Sequence, residues 1–368
     1  MDLYAFRILR SHPLRLSLTV GGIALCIVLM LFLLSVYRGV ADGSIEYIRQ
    51  NRADLWVLQR NATNILRGSS VLFTGHGKRI LNIPGVKSAS PVLLILSGIQ
   101  KQNQLATLYL TGFEPSTGMG GPPQLLEGHS VIKDNEIVLD KAFAAKFSFK
   151  VGDSIQIQDD PLQIVGISSG TNAFVIQYAF VTLHRAQSLI GIPGLVTCYL
   201  VRARGVHEIS QVAERIREEL PEVEVYDHKT FLQNNIHEMQ SGFLPLIYTI
   251  ASIGVIVLTA ILTLLLSINI LERRKDFAVL KTLGSPKRFL PRLIIEQALL
   301  ISAVATMGAV VIFFPMVALI EKIVPEVSTK SSFGQIAAVV FVVGVMSVLS
   351  AIISMQKLRG IYPMEAFS

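Results

Sequence analysis

Residues 272–284 read ERRKDFAVLKTLG, and this polar segment separates two long apolar runs. An uncharged run from 239 to 271 precedes it, and another follows from residue 298. A short amphipathic segment between two hydrophobic spans has both ends held at one membrane face. Its apolar stripe, which includes Phe277 and Leu280, must therefore face a partner or the lipid headgroups. The pattern predicts a docking element.

The composition indicates a membrane protein with a sizeable domain outside the bilayer. The chain has 368 residues, of which 51% are hydrophobic and only 16% are charged. A transmembrane helix needs about 20 apolar residues, and four uncharged runs reach that length: 16–37, 239–271, 298–320 and 331–356. The predicted fold class is a membrane α-helical protein with four transmembrane helices and an extracytoplasmic α+β domain between helices 1 and 2.

The first run could instead be a secretory signal, because Arg7, Arg10 and Arg15 precede it. It is longer than the roughly 7 to 15 residues of a signal core, and no convincing cleavage site follows. We therefore expect an uncleaved anchor.

Positive charge sets the predicted orientation, since cytoplasmic loops are enriched in Lys and Arg. The cations next to the predicted spans are Arg7, Arg10, Arg15, Arg273, Arg274, Lys275, Lys281, Lys287, Arg288, Arg292, Lys357 and Arg359. Both termini and the 272–292 loop are thus predicted to be cytoplasmic, in a multi-pass protein of the inner membrane. The net charge of +7 fits binding next to anionic lipid and gives no reason to expect nucleic acid.

The predicted organisation follows from these spans. Its parts are a cytoplasmic amphipathic helix (1–15), helix 1 (16–37), an extracytoplasmic domain with stalks (38–238) that contains a β-rich insert at about 130–190, helix 2 (239–271), the 272–292 coupling loop, helix 3 (293–320), a short outer loop (321–330), helix 4 (331–356) and a cytoplasmic tail (357–368). In the outer domain, the Gly- and Pro-rich stretch 114–129 is predicted to be a loop. GHGKR at 75–79 lacks the spacing and hydroxyl of a phosphate-binding loop and is interpreted as a turn.

Several motifs resemble those of one family. ERRKDFAVLKTLGSPKRFLPRLIIEQALL (272–300) resembles the cytoplasmic signature of FtsX-like permeases of the MacB type, with Asp276 where a glutamate is more usual. The opening FRILRSHPLRLSLTVGGIAL and the final YPMEAF resemble that family's first-helix and C-terminal motifs. IVLDKAFAAKFSFKVGDSIQI with LQIVGI is similar to its periplasmic core domain. The resemblance extends over essentially the whole chain.

The resemblance implies an ABC transporter permease that dimerises, as a homodimer or with a related permease, and binds a separate cytoplasmic ATPase subunit. It implies mechanotransmission, in which ATP hydrolysis drives a change in the outer domain, and no cofactor in this chain because the ATPase binds ATP and Mg²⁺. The residues expected to couple to the ATPase are Glu272, Arg273, Arg274, Asp276, Phe277, Leu280, Lys281 and Gly284. Glu296, about one turn into helix 3, is expected to bond a neighbouring backbone group or a cytoplasmic arginine, and a proton relay is the alternative.

The cargo and the outer partner stay open at this level. A lipid, another amphiphile, a peptide or a lipoprotein is expected, with a membrane-fusion protein or a lipoprotein carrier as possible partner. A non-transporting regulator of a cell-wall hydrolase is the alternative. The scattered histidines predict no metal site, although a ligand role for His237, Met239 or Tyr37 is kept open. No catalytic constellation is found, so we do not expect this chain to be an enzyme.

Overall fold

The structure is a computed structural model that describes residues 13–51, 53–65, 70–101, 104–158, 160–173, 176–272, 279, 286, 289–323, 329 and 331–355. In chain order the elements are α1 (Pro13–Gln50), β1 (Leu55–Gln59), β2 (Leu72–Phe73), α2 (Thr74–Leu81), β3 (Val86–Lys101), β4 (Gln104–Phe113), β5 (Gln124–Gly128), β6 (Glu136–Asp140), α3 (Lys141–Lys146), β7 (Ser154–Ile157), β8 (Asp160–Ser169), β9 (Asn172–Ala173), β10 (Ile176–Thr182), α4 (Leu183–Ile190), β11 (Leu195–Val196), β12 (Cys198–Ala203), α5 (Ile209–Glu219), β13 (Val223–Asp227), α6 (His228–Glu272), α7 (Phe289–Ile323) and α8 (Phe333–Met355).

The chain divides into two compact units. A membrane unit comprises 1–37, 245–319 and 329–368, and an outer unit comprises 38–244 and 320–328. Four of the described helices are long and apolar enough to cross a membrane, and their candidate spans are Ser17–Gly43, Leu244–Glu272, Phe289–Ile323 and Phe333–Met355. The predicted fold class, four membrane helices with an α+β domain after the first, is confirmed.

Helices α1 and α6 are longer than a membrane span requires. They contain 38 and 45 residues, and at 1.5 Å per residue α6 is about 68 Å long, against roughly 30 Å for the hydrocarbon core. Each helix therefore contributes residues to both units. Pro245 lies within α6, where its ring removes one backbone hydrogen bond.

The membrane unit packs through regularly spaced apolar residues. The buried positions of α7 recur every three or four residues, as expected for one helix face in a bundle: Leu290, Leu293, Ile294, Gln297, Ala298, Ile301, Ser302, Ala305, Ala309 and Phe313. Residues of α1, α6 and α8 join α7 in one buried cluster.

Among the described residues, the outer unit is built on a sheet of 11 strands, whose main order is β13-β1-β12-β3-β4-β10-β6-β8-β5, and β2 pairs with β11 in a separate two-stranded sheet. The β10–β4 and β6–β8 pairs are parallel, and the other pairs of this path are antiparallel. In β1, Leu55 and Val57 belong to one buried cluster, and Trp56 and Leu58 belong to another. Successive strand residues point to opposite faces, so this sheet is covered on both sides.

Different elements cover the two faces. Residues of α2, α3, α4 and α5 belong to the cluster that contains Leu55. The cluster that contains Trp56 includes Tyr47 and Ile48 from the end of α1 and Phe231 from the start of α6. The two long helices thus end within the core of the outer unit.

Two local predictions are wrong. The predicted loop 114–129 contains strand β5, which pairs with β8 at the edge of the sheet and is exposed at all five residues. Its partner is distant in the chain, so a Gly- and Pro-rich composition does not reveal the pairing. Residues 75–79 are helical, within α2, rather than a turn. Gly77 packs there against the Tyr199 ring, where an added Cβ would lie 2.7 Å from Tyr199 Cε1.

The strands of the predicted insert at 130–190 extend the same sheet, since β10 pairs with both β4 and β6. They are continuous with the rest of the outer unit through main-chain hydrogen bonds.

Candidate functional site: the helix ends in the outer unit and the polar groups of the membrane unit

The predicted ATPase-coupling segment is only partly described. Glu272 is the last residue of α6 and is exposed, and Val279 is helical. The remaining predicted coupling residues, Arg273, Arg274, Asp276, Phe277, Leu280, Lys281 and Gly284, lie outside the described residues. Their docking role stays a prediction.

Glu296 forms an ion pair within its own helix. Arg292 Nε donates to Glu296 Oε1 at 2.9 Å, four residues along α7. The side chain of Glu296 is 22% exposed, and the adjacent Gln297 is 3% exposed. Among the described residues, Glu296 Oε2 and Gln297 Nε2 have no hydrogen-bond partner. The arginine offsets part of the cost of an acid at this depth.

The outer end of α1 is fixed by a set of buried hydrogen bonds. The Tyr47 hydroxyl donates to the Gly120 carbonyl at 2.9 Å, and the Gly120 N–H donates to Asn51 Oδ1 at 2.9 Å. Asn51 Nδ2 in turn donates to the Tyr47 carbonyl at 2.9 Å. Gly120 has a φ of 84°, and an added Cβ would lie 2.4 Å from Val92 Cγ2, so only glycine fits. We call Tyr47, Asn51 and Gly120 the α1 anchor.

The α1 anchor also stacks on the sheet. The Tyr47 ring lies 5.1 Å from the Tyr178 ring, with an interplanar angle of 24°. Both side chains are almost fully buried, and burial raises the pKa of each hydroxyl. Tyr47 therefore remains a neutral donor, and its hydrogen bond to Gly120 persists throughout the physiological pH range.

The outer end of α6 is fixed by a second set of contacts. The Trp56 ring stacks on Phe231 at 4.6 Å, and Trp56 Nε1 donates to His228 Nδ1 at 3.5 Å. Asn235 is fully buried, accepts the Ile65 N–H at 3.2 Å and donates to the Phe231 carbonyl at 2.8 Å. We call Trp56, Phe231 and Asn235 the α6 anchor.

Burial lowers the pKa of His228, while the nearby Asp227 and Asp54 carboxylates act in the opposite direction. The neutral imidazole is the form that accepts the Trp56 N–H. The contact between β1 and the start of α6 therefore depends on His228 being unprotonated.

The aromatic residues of the two anchors, Tyr47, Trp56 and Phe231, belong to one buried cluster. A close-packed core transmits strain because it has few voids. A displacement of either helix end must therefore move the sheet or break buried hydrogen bonds. Sequence reasoning predicted helical stalks but did not identify the anchors; the available signal was the single tryptophan of the chain, directly after the first stalk.

In the membrane unit, two serines join α8 to α6. Ser350 Oγ donates to the Thr259 carbonyl at 3.2 Å, and Ser354 Oγ donates to the Thr263 carbonyl at 3.1 Å. The spacing is four residues on both helices, so α6 and α8 run in the same direction. Both serines are buried, and small polar residues allow helices to approach closely in a membrane. We call these two hydrogen bonds the serine seam.

The described residues contain no group of three or more His, Cys, Asp or Glu side chains placed to hold a metal ion.

Two family models match the chain. The model for the MacB-like periplasmic core domain matches residues 16–219, and that for the FtsX-like permease C-terminal region matches residues 248–363. An uncharacterized ABC transporter permease of Mycobacterium tuberculosis is 24% identical, over 85% of this chain and 87% of its own length. The putative hemin transport system permease protein HrtB of Staphylococcus haemolyticus is 20% identical, over 98% of each chain.

Among solved structures, the periplasmic region of MacB from Actinobacillus actinomycetemcomitans matches with a TM-score of 0.40 and 13% identity, covering 50% of this chain and 94% of that one. The extracellular domain of the noncanonic ABC-type transporter YknZ from Gram-positive bacteria matches with a TM-score of 0.37 and 11% identity, covering 48% and 99%.

Proposed function

This chain belongs to the family of ABC transporter permeases that join a MacB-like periplasmic core domain to an FtsX-like permease region, and we propose that it couples a separate ATPase subunit to movement of its outer unit. In this proposal the chain supplies the membrane helices and the outer sheet, and the partner binds ATP and Mg²⁺. ATP hydrolysis by the partner drives the movement of the outer unit, a mechanism called mechanotransmission.

The observation that carries this proposal is the pair of helix anchors. Helices α1 and α6 each contribute residues to the membrane unit and to the outer unit. Their outer ends share one buried cluster, and in each anchor the aromatic contacts are accompanied by hydrogen-bonded asparagine. A hinged or solvated connection would absorb movement, whereas these buried contacts favour its transmission to the sheet.

The proposed energy input is the segment at 272–284. It directly follows α6, so a force on it acts along the helix whose other end carries the α6 anchor. Phe277 and Leu280 would occupy a groove on the ATPase, and Arg273, Arg274 and Lys281 would pair with acids at its rim. By the distribution of positive charge, this segment and both termini are cytoplasmic.

We further propose that two permease chains assemble, as a homodimer or with a related permease. Helix α6 exposes large apolar side chains at Leu246, Tyr248, Ile253 and Ile256. A second permease or lipid must cover these residues. The cargo in this proposal is an amphiphile, such as a lipid, a lipoprotein or a porphyrin. The porphyrin is included because one relative is named as a putative hemin transport system permease. A lipoprotein carrier or a periplasmic membrane-fusion protein would receive it.

The test of coupling is Leu280→Asp, with the permease and its ATPase co-expressed and purified in mild detergent. We expect loss of co-purification and of permease-dependent ATP hydrolysis, because a buried carboxylate without a partner opposes docking. Val279→Asp is the matched control, since it adds the same charge one position away from the apolar stripe at a residue that is 43% exposed. If Leu280→Asp co-purifies with the ATPase and stimulates ATP hydrolysis as well as Val279→Asp does, the coupling assignment is wrong.

A second experiment separates transport from regulation of a cell-wall hydrolase. A soluble cell-wall hydrolase is added externally to cells that lack this permease. If the permease regulates such a hydrolase, these cells should recover normal walls; if it is a transporter, they should not. Accumulation of an amphiphile in the inner membrane of those cells supports transport.

A further inference from the structure

Helix α6 contains a proline in its interior, at the boundary between the two compact units. The outer unit includes Leu244, and Pro245 is the first residue of the next part of the membrane unit. Proline has no N–H, so the Ser241 carbonyl lacks the helical hydrogen bond that it would otherwise accept, and the ring crowds that carbonyl. Proline is one of the few causes of a sharp bend in a helix. Pro245 therefore marks a place where α6 can bend.

Hydroxyl side chains near Pro245 form hydrogen bonds to carbonyls of the same helix. Thr249 Oγ1 donates to the Pro245 carbonyl at 2.8 Å, and Ser241 Oγ donates to the Glu238 carbonyl at 3.0 Å. Ser252 Oγ donates to the Thr249 carbonyl at 2.8 Å. Such bonds compete with the helical N–H for its carbonyl and often bend a helix. They weaken α6 on both sides of the proline.

The stretch around Pro245 also has little packing to hold it straight. Buried residues of α6 recur every four positions from Phe231 to Met239, and again from Leu258 onwards. Between these two sets, Ile247 is the one buried side chain among the residues whose burial is described. A segment with few buried contacts changes shape more easily than a packed one. Helix α6 is thus held at both ends and weakly supported in between.

Helix α1 also contributes to both units, and it has weak positions of its own at their boundary. This boundary lies between Tyr37 and Arg38, and Gly39 and Gly43 follow within the helix. Glycine is one of the poorest helix formers. Helix α1 therefore offers limited resistance to bending of α6.

We propose that Pro245 is a hinge at which α6 changes its bend, so that the outer part of the helix rotates together with the sheet to which it is fixed. The α6 anchor lies upstream of the hinge, and the helix from Phe231 to Pro245 is continuous. At 1.5 Å per residue this arm is about 21 Å long. A change of about 20°, the size of a sharp kink, moves Phe231 sideways by about 7 Å.

A hinge inside the helix differs in effect from a flexible joint at the sheet. A joint at the sheet would absorb the movement of α6. Bending at Pro245 leaves the contacts of the α6 anchor intact and converts a push on the 272–284 segment into rotation of the outer unit. The inference rests on the proposed function only for the source of that push, because the hinge is a property of this chain alone.

The test measures how widely the outer unit moves, by pulsed electron paramagnetic resonance between two spin labels. The labels are attached at Glu218→Cys on α5 and Ala338→Cys on α8, two exposed positions, in a chain whose Cys26 and Cys198 are replaced by alanine. The full chain is placed in lipid nanodiscs with an excess of unlabelled chain, so that distances between copies do not contribute. We expect a distance distribution with a width on the order of 10 Å, since the arm alone moves by about 7 Å.

Two substitutions of the proline should narrow this distribution. Pro245→Ala restores the N–H and removes the ring, so the width should fall at least about twofold. Pro245→Leu makes the same change to the backbone and should give the same result. Leu246→Ala is the matched control, because it changes the adjacent exposed residue and keeps the proline; its width should equal that of wild type. Trp56 fluorescence checks that each variant is folded.

Three results would overturn the proposal. Distributions in both proline variants as broad as in Leu246→Ala would place the movement elsewhere in the chain. An equally narrow distribution in wild type and Pro245→Ala would show that packing holds α6 in one shape. Labels at Glu218→Cys and Glu127→Cys, both in the outer unit, should give a narrow distribution, and a broad one would show that the sheet deforms instead. The ATPase is absent from these samples, so their outcome is independent of the coupling test at Leu280.

Discussion

Replacing Tyr47 by Phe tests the α1 anchor, because it removes one buried hydroxyl and keeps the stacked ring. The hydroxyl donates to the Gly120 carbonyl at 2.9 Å, and Tyr47 is 0% exposed. A typical hydrogen bond contributes about 1 kcal/mol net, and a buried group left without its partner costs about 1 to 3 kcal/mol. The Gly120 carbonyl would lose its partner, so we expect the outer unit to lose about 1 to 2 kcal/mol of stability. For a unit of roughly 200 residues this lowers Tm by about 2 to 8 °C.

Tryptophan fluorescence is a suitable assay, since Trp56 is the single tryptophan of the chain and belongs to the same buried cluster as Tyr47. Thermal unfolding of the purified full chain is followed for wild type, Tyr47→Phe and the control Tyr248→Phe, whose side chain is 63% exposed. The control should change Tm by less than about 1 °C, as surface substitutions usually do. If the two variants have the same Tm, the hydrogen bond to Gly120 does not hold the end of α1 as inferred.

Three further predictions follow from buried groups. The pKa of His228 is lowered by burial, so its contribution to stability is complete above the unfolded pKa of about 6.5 and is lost as the pH falls from that value through the lower folded pKa; the Tm followed by Trp56 fluorescence should fall as the pH is lowered below about 6.5, and an equal fall in His228→Gln would contradict this. Removing the serine seam with Ser350→Ala and Ser354→Ala should cost about 1 kcal/mol in total, measured by denaturant titration in detergent, and no change would show that the seam is not stabilising. Burial raises the pKa of the Cys198 thiol to about 12, so maleimide should label it only after unfolding, and rapid labelling of the folded chain would refute its burial.

Apolar run length was sufficient to predict four membrane helices, since a span needs about 20 apolar residues in any tertiary context. Strand β5 was missed, since its five exposed residues have no buried face to impose alternation. Residues 75–79 were predicted to be a turn and are helical, since the packing of Gly77 on Tyr199 joins residues that are distant in the chain and cannot be read from the local sequence.

Part of the candidate site could likewise be predicted from the sequence, and part could not. The segment at 272–284 was found from sequence, because charge and apolar spacing are local properties. Tyr47, Asn51 and Gly120 could not be found, since they join residues 69 and 73 positions apart through backbone groups that any residue carries.

The sequence by itself determined that this chain crosses a membrane, that a large α+β unit follows the first helix, and which polar segment adjoins the second. These are consequences of hydrophobicity, charge and local periodicity. Only the tertiary structure decided that α1 and α6 end in one buried cluster and that a serine seam joins α8 to α6. Such features depend on which groups, distant in the chain, come into contact in the fold. Arrangements that leave a buried polar group without a hydrogen-bond partner are destabilised, so contacts that satisfy these groups are favoured.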